Sequence, residues 1–396
     1  MLKYLASPYK VKNKIADLLA EFSVLKMAEV SDYHKTFPQY METPLHFLPE
    51  LAAYLGIKAV YIKDEAHRFG LNAFKVLGAS YAIARYIAEQ EDLDVHALSY
   101  DKIMATDLPK TTFTSTTDGN HGFGVAWTAK LLGQAAVINM PKGTVRQRVA
   151  AIESLGAQVH VTDMNYDDTV RLTAEQARQH GRVIVQDTAW QGYEDIPRWI
   201  MKGYSTMAIE TCERLPEPPT HLFVQAGVGA MAAAVIASFV NYYAERTPFF
   251  ALMEARQADC FYRSAQDATK DPVAVTGDLA TIMAGLACGE ASSLAWPLIR
   301  NHTDGYFSLA DEVTANGMRL LSSPLGDDPR IISGESGAVG AGLLYILKDY
   351  RSIATQMGLS KDSVVLLFST EGATDRENYK KVVWHGKYPY CRGETL

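Results

Sequence analysis

The sequence predicts an α/β protein built from two doubly wound, three-layer units, and three observations predict it. Short β-branched or apolar runs alternate with helical patterns along nearly the whole chain. Most of these runs are continuously apolar, as strands covered on both faces require. The segments between them are long enough for crossover helices, which makes successive strands parallel. A chain of 396 residues fits two domains at about 100–200 residues each.

In order, strands are expected at residues 59–63, 111–115, 135–140, 158–162, 183–186, 221–225, 249–254 and 363–369. A helix over 74–91 carries apolar and small residues on one side. Thr144 and Gln147 have capping-box spacing for a helix that stops at Gly156. Another helix runs from Tyr166 to His180 and stops at Gly181. Four of the strands fall between Lys110 and Asp187, flanked by the polar stretch 91–110 and by the segment after Tyr193. The expectation is a large unit from residues 1–84 plus 196–396 and a small unit, 85–195, inserted into it. The cleft between them is the natural ligand site.

Composition narrows the function. Lysine and arginine total 38 against 45 acids, a net charge of −7, with a pI near 5.8 and no long basic run. Nucleic acid and anionic membrane are therefore poor partners. No stretch approaches the roughly 20 apolar residues of a spanning helix, and residues 1–14 lack the apolar core of a signal peptide. Cys212, Cys260, Cys288 and Cys391 are widely spaced and contain no CxxC, so no metal site is expected. Their scatter suits a reducing, cytoplasmic setting, with Cys260 and Cys288 left open as a pair.

Residues 221–225 run into Ala226-Gly227-Val228-Gly229-Ala230-Met231 and then an alanine-rich helix. Glycines at a strand-to-helix turn let backbone N–H groups close on an anion that the helix N-terminus also attracts. Gly227-x-Gly229-x-x-Ala232 also fits the dinucleotide fingerprint, with Glu254 near where a ribose-binding acid would fall. A nicotinamide-dependent oxidoreductase is thus one reading; tight strand–helix packing is the plain one.

Phe69-Gly70-Leu71-Asn72-Ala73-Phe74-Lys75 places one lysine among apolar and small residues at a helix start. Burial near helix-terminal dipoles would lower its pKa and suit it to Schiff-base chemistry, the alternative being a lysine that reaches back to water. Thr114-Ser115-Thr116-Thr117-Asp118-Gly119-Asn120-His121-Gly122 is a strand end, polar turn and helix start suited to a carboxylate, or else a well-capped helix.

Taken together, Thr43-Pro44-Leu45, Lys63-Asp64-Glu65, Phe74-Lys75, the asparagine loop, the glycine loop and Ser369 occur in an order that resembles the fold type II family of pyridoxal-phosphate (PLP) enzymes. That family includes threonine dehydratase and the tryptophan synthase β chain. The wording around Lys75 and Asp118 looks most like its ammonia-lyases for 2,3-diaminopropionate.

The resemblance implies PLP in the cleft between the units, held covalently by Lys75 and flanked by Phe74. Asn120 would bond the ring's phenolic oxygen, and Gly227, Val228, Gly229, Ala230 and Met231 would cradle the phosphate. Ser369, or the adjacent Thr370, would face the pyridine nitrogen, and Glu335 would lie along the cofactor edge. Thr116, Thr117, Asp118 and Asp187 would meet the amino-acid substrate, and His121 would be a packing residue. Asp118 departs from the small or hydroxyl residue usual in related loops; with Asp187 it supplies negative charge for a diamine and groups that exchange protons. The implied reaction is α,β-elimination, with a serine or threonine dehydratase as the same-fold alternative and a homodimer as the expected assembly.

Overall fold

The computed structural model describes residues 1–9, 16–268 and 271–390; Cys391 lies outside them. Within these residues the strands are β1 (Leu2–Ala6), β2 (Leu45–Phe47), β3 (Ala59–Asp64), β4 (Thr112–Thr116), β5 (Ala135–Met140), β6 (Gln158–Val161), β7 (Val183–Ile184), β8 (His221–Gln225), β9 (Phe249–Ala255), β10 (Gly305–Leu309) and β11 (Val364–Ser369). They form two sheets. Seven strands run in the order β1-β10-β9-β8-β11-β3-β2, and four in the order β6-β5-β4-β7. The inner strands of the first sheet and all of the second are parallel; only β1 on β10 and β2 on β3 are antiparallel.

Continuous apolar runs are buried on both faces, as the pattern requires: every residue of β8 and β11 is buried. The edges read differently. β6 is exposed along most of its length. β7 is shorter than its apolar run, because Gln186 N–H turns away to the Tyr193 hydroxyl, 2.8 Å off. Three strands, β1, β2 and β10, were not anticipated. β1 and β2 are short edge pieces, and β10 (Gly-Tyr-Phe-Ser-Leu) lacks the β-branched run that marks a strand locally; their partners define them.

The Thr144–Gln147 capping box does not form. That helix spans Arg146–Glu153 with Val145 at its N-cap, while Thr144 Oγ1 donates to Pro141 O at 2.8 Å. The helix Tyr166–His180 ends as expected at Gly181, whose φ is 62°.

One helix positions the site. Val76–Gln90 is buried on almost every side, which marks a helix packed all round. It crosses the helix Asp195–Arg214 so closely that a Cβ on Gly203 would lie 2.4 Å from Leu77 O. On its other side it meets the helix Asn120–Leu131, where a Cβ on Gly124 would lie 3.0 Å from Val76 Cα. Lys75 precedes this helix.

The segment leading to Lys75 is pinned by buried charge. Lys63 Nζ lies 2.7 Å from Glu210, and Arg68 lies 2.8 Å from both Glu65 and Glu210. Thr43 donates to Glu65 at 2.7 Å. Two cations facing two carboxylates leave no charge buried alone, which is the condition for keeping them in a core.

Candidate active site

The pocket is lined by residues at or just past the ends of β8 and β11 of the large sheet and of β4 of the small one. Lys75 Nζ donates to Asp187 Oδ2 across it. Asp187 is 2% exposed, and its Oδ1 accepts from Tyr166 at 3.2 Å and Gln186 at 3.3 Å. This changes the expectation for Lys75. Burial does favour the neutral amine, but the Asp187 carboxylate outweighs it and holds the lysine above its ordinary range. The same pair holds Asp187 below the carboxylate range, against its own burial. The short-range sequence could not reveal that partner.

Opposite Lys75, Gly227 to Met231 line the pocket at the start of the helix Ala230–Tyr243. A Cβ on Gly227 would stand 2.9 Å from Gly285 O, and Gly229 holds φ 92° with Phe261 Cζ 2.5 Å from where its Cβ would be. Side chains there would fill the space in which backbone N–H groups can close on an anion. Phe74, Thr117, Asp118, Asn120 and His121 complete much of the wall.

Asn120 donates to Glu371 Oε2 at 2.5 Å, and Glu371 Oε1 accepts from Ser336 N at 3.0 Å. Asp118 Oδ2 and its carbonyl both receive Arg148 Nη1 at 3.3 Å. His121 Nε2 sits 2.8 Å from Val185 O on the pocket wall, and burial lowers its pKa.

Some anticipated residues fall elsewhere. Thr116 is buried beneath the pocket, with its hydroxyl 2.6 Å from that of Thr173, because successive β4 side chains alternate faces. Of the two hydroxyls ending β11, Thr370 lines the pocket whereas Ser369 donates to Ser333 Oγ at 2.8 Å. Glu335 does not line the pocket; it lies on the adjoining cavity and accepts from Asn378 Nδ2 at 2.6 Å. Burial and then the Glu371 carboxylate push its pKa up to about 7.

Residues that the sequence reading assigned no role also line the pocket: Tyr166, Gln225, Cys288, Ser336 and Glu371. Gln225 Nε2 bonds Phe368 O at 3.0 Å, Ser336 O at 3.1 Å and Thr370 Oγ1 at 3.2 Å, tying β8 to β11. Its place at a strand end before the glycines was the available signal. Cys260 and Cys288 are both free and buried, so they do not pair.

The nicotinamide reading loses its acid. Glu254 is fully buried and its two oxygens accept from Phe261 N at 2.8 Å and Tyr262 N at 2.7 Å, leaving nothing for a ribose. A lysine amine and a glycine turn able to close on an anion instead line one pocket, a pairing that fits the class of enzymes built around a phosphorylated aldehyde cofactor.

The family described as pyridoxal-phosphate dependent enzyme matches residues 36–369, and the chain belongs to it. The chain is 50% identical over 373 residues to diaminopropionate ammonia-lyase of Escherichia coli K12, covering 93% of each. It is 47% identical over 371 residues to diaminopropionate ammonia-lyase of Salmonella typhimurium LT2, covering 91% of this chain and 92% of the relative. The crystal structure of selenomethionine-containing holo diaminopropionate ammonia-lyase from Escherichia coli superposes with a TM-score of 0.92 at 47% identity, covering 98% of each chain. The cofactor is pyridoxal phosphate, and the amine, the anion cradle and the amide of Asn120 are a donor set that fits it.

Proposed function

We propose that the protein catalyses α,β-elimination of 2,3-diaminopropionate, which with hydrolysis of the resulting enamine by one water yields pyruvate and two ammonia. The observation that carries this reading is the acid pair around the reactive amine, Asp187 on Lys75 and Asp118 across the pocket, added to the 50% identity with a diaminopropionate ammonia-lyase. A hydroxyl-bearing substrate would have no use for two carboxylates, which weighs against a serine or threonine dehydratase.

The residues that would hold the cofactor are Lys75 covalently, Gly227 to Met231 at its phosphate, Asn120 at its phenolic oxygen, and Thr370 or Ser369 at its ring nitrogen. Phe74 flanks them. When bound, the cofactor supplies a sink for the electron pair left at Cα. Lys75 is the base on one face of the substrate, and Asp187, which accepts its hydrogen bond, is the group placed to exchange its proton. Asp118 is the base on the other face, kept in place by Arg148. Thr117 and the backbone at the start of the helix Asn120–Leu131 bind the substrate carboxylate. Asp118 and Asp187 offset the two ammonium charges of a diamine.

The domain division that goes with this reading is 1–84 plus 196–396 and 85–195, supported by the two separate sheets. A cytoplasmic homodimer goes with this reading; three free buried thiols among the described residues suit a reducing compartment, and light scattering tests the dimer.

The purified holoenzyme should absorb in the near-visible and release ammonia and pyruvate in a two-to-one ratio from 2,3-diaminopropionate. Lys75→Ala should lose the absorption band and at least about 10³-fold in kcat. Faster turnover of serine than of the diamine would reject the reading. Asp118→Asn should impair one enantiomer far more than the other; equal losses for D and L would reject the division of labour between faces.

A further inference from the structure

Beside the pocket lies a cavity of about 690 Å³ that shares Asp118, Tyr166 and Ala284 with it. Six carboxylates line this cavity, Asp118, Asp163, Asp168, Asp278, Glu335 and Asp375, against two cations, Lys142 and Arg148. Asp118 is engaged by Arg148 and Asp168 by Arg171. Glu335 differs from the others. It is 1% exposed, although it stands on the cavity wall. Asn378 holds its Oε1, while its Oε2 has no hydrogen-bond partner among the described residues.

A buried carboxylate oxygen without a donor is unfavourable, and a cationic donor relieves that cost most effectively. A wall of one predominant sign concentrates the opposite charge before it reaches the site. A primary ammonium meets both conditions, with three donors and a full positive charge. We propose that Glu335, held by Asn378, is the acceptor for a primary ammonium group in this cavity, which serves as the antechamber through which the diamine reaches Asp118. This inference rests on the proposed function. The ammonium can be the substrate's side-chain group or the ammonium ion that the reaction releases.

The wild-type holoenzyme, Glu335→Gln and Asn378→Ala are compared in turnover of 2,3-diaminopropionate and in its inhibition by L-serine and by ammonium chloride. Serine has no side-chain ammonium and reports on the catalytic pocket alone. For a substrate subsite, Glu335→Gln raises KM for the diamine about tenfold, keeps kcat within about twofold and leaves inhibition by serine unchanged; Asn378→Ala acts in the same direction but less. For an ammonium-ion subsite, KM stays constant and inhibition by ammonium chloride weakens about tenfold. Either result supports the acceptor role. Unchanged KM together with unchanged ammonium inhibition overturns it, as does equal weakening of diamine and serine, which marks a structural role. A wild type inactive on the diamine overturns the proposed function and the antechamber with it. A wild type active on the diamine, whose KM and ammonium inhibition Glu335→Gln both leave unchanged, overturns the antechamber alone.

Discussion

Lys75 shows how far a single residue can be read. Its apolar neighbours allow either a Schiff-base amine or a lysine that reaches back to water, and its charge state is set by Asp187, a carboxylate 112 residues away. Glu335 shows the same dependence in reverse. The family resemblance implied a residue at the cofactor edge, whereas folding turns it toward the neighbouring cavity and Asn378. Its pKa near 7 has a consequence for stability. As pH rises from about 4.5, the ordinary value, the unfolded chain loses this proton before the folded chain does. The native state then binds more protons, so stability falls between pH 4.5 and 7. Glu335→Gln removes that loss. Its melting temperature should gain on wild type between pH 5 and pH 8, by a stability difference on the order of 3 kcal/mol at full effect. A difference that does not vary with pH would contradict the assignment.

At the scale of elements, the strand-to-helix turn at Gly227–Met231 was legible because it needs a local conformation that glycine supplies. Gly229→Ala puts a methyl 2.5 Å from Phe261 Cζ at φ 92°. We expect a loss of about 1–3 kcal/mol in stability and a cofactor content after dialysis well below wild type. Retention of the full content would argue against the phosphate cradle. The segment 65–70 before Lys75 was less legible, since its anchor, Glu210, comes from the helix Asp195–Arg214. Burial would raise the Glu210 pKa, but Arg68 and Lys63 outweigh it and hold it well below the ordinary carboxylate range. Glu210→Gln leaves a buried cation uncompensated and should cost roughly 3–5 kcal/mol in denaturant unfolding; a cost under 1 kcal/mol would show that the cluster relaxes. The missed strands belong at this scale too. β10 is a strand because β9 and β1 flank it, and its own five residues carry little of that information.

At the scale of the molecule, the proposed ligand groups come from both sheets. Lys75 and Gly227–Met231 sit with the large one, while Asn120 follows β4 of the small one. A cofactor held by all three stabilises the folded chain as a whole. Adding PLP to the stripped protein should raise the melting temperature, corresponding to about 2.7 kcal/mol at a hundredfold excess over Kd. Lys75→Ala should retain only part of this gain, because the phosphate cradle remains. Absence of any shift would mean that the cofactor does not draw on both units.

The sequence by itself determined the α/β class, the run of parallel strands, the glycine turn and the positions of Lys75 and the asparagine loop. Each of these depends on chemistry within a few neighbouring residues, where period, burial and turn conformation are already encoded. The tertiary structure decided the partners: Asp187 for Lys75, Glu371 for Asn120 across 251 positions, Thr370 in place of Ser369 on the pocket wall, and Cys260 and Cys288 as free thiols. Those pairings follow from which strands lie side by side and which face each side chain takes, and only the closed topology of the two sheets sets both.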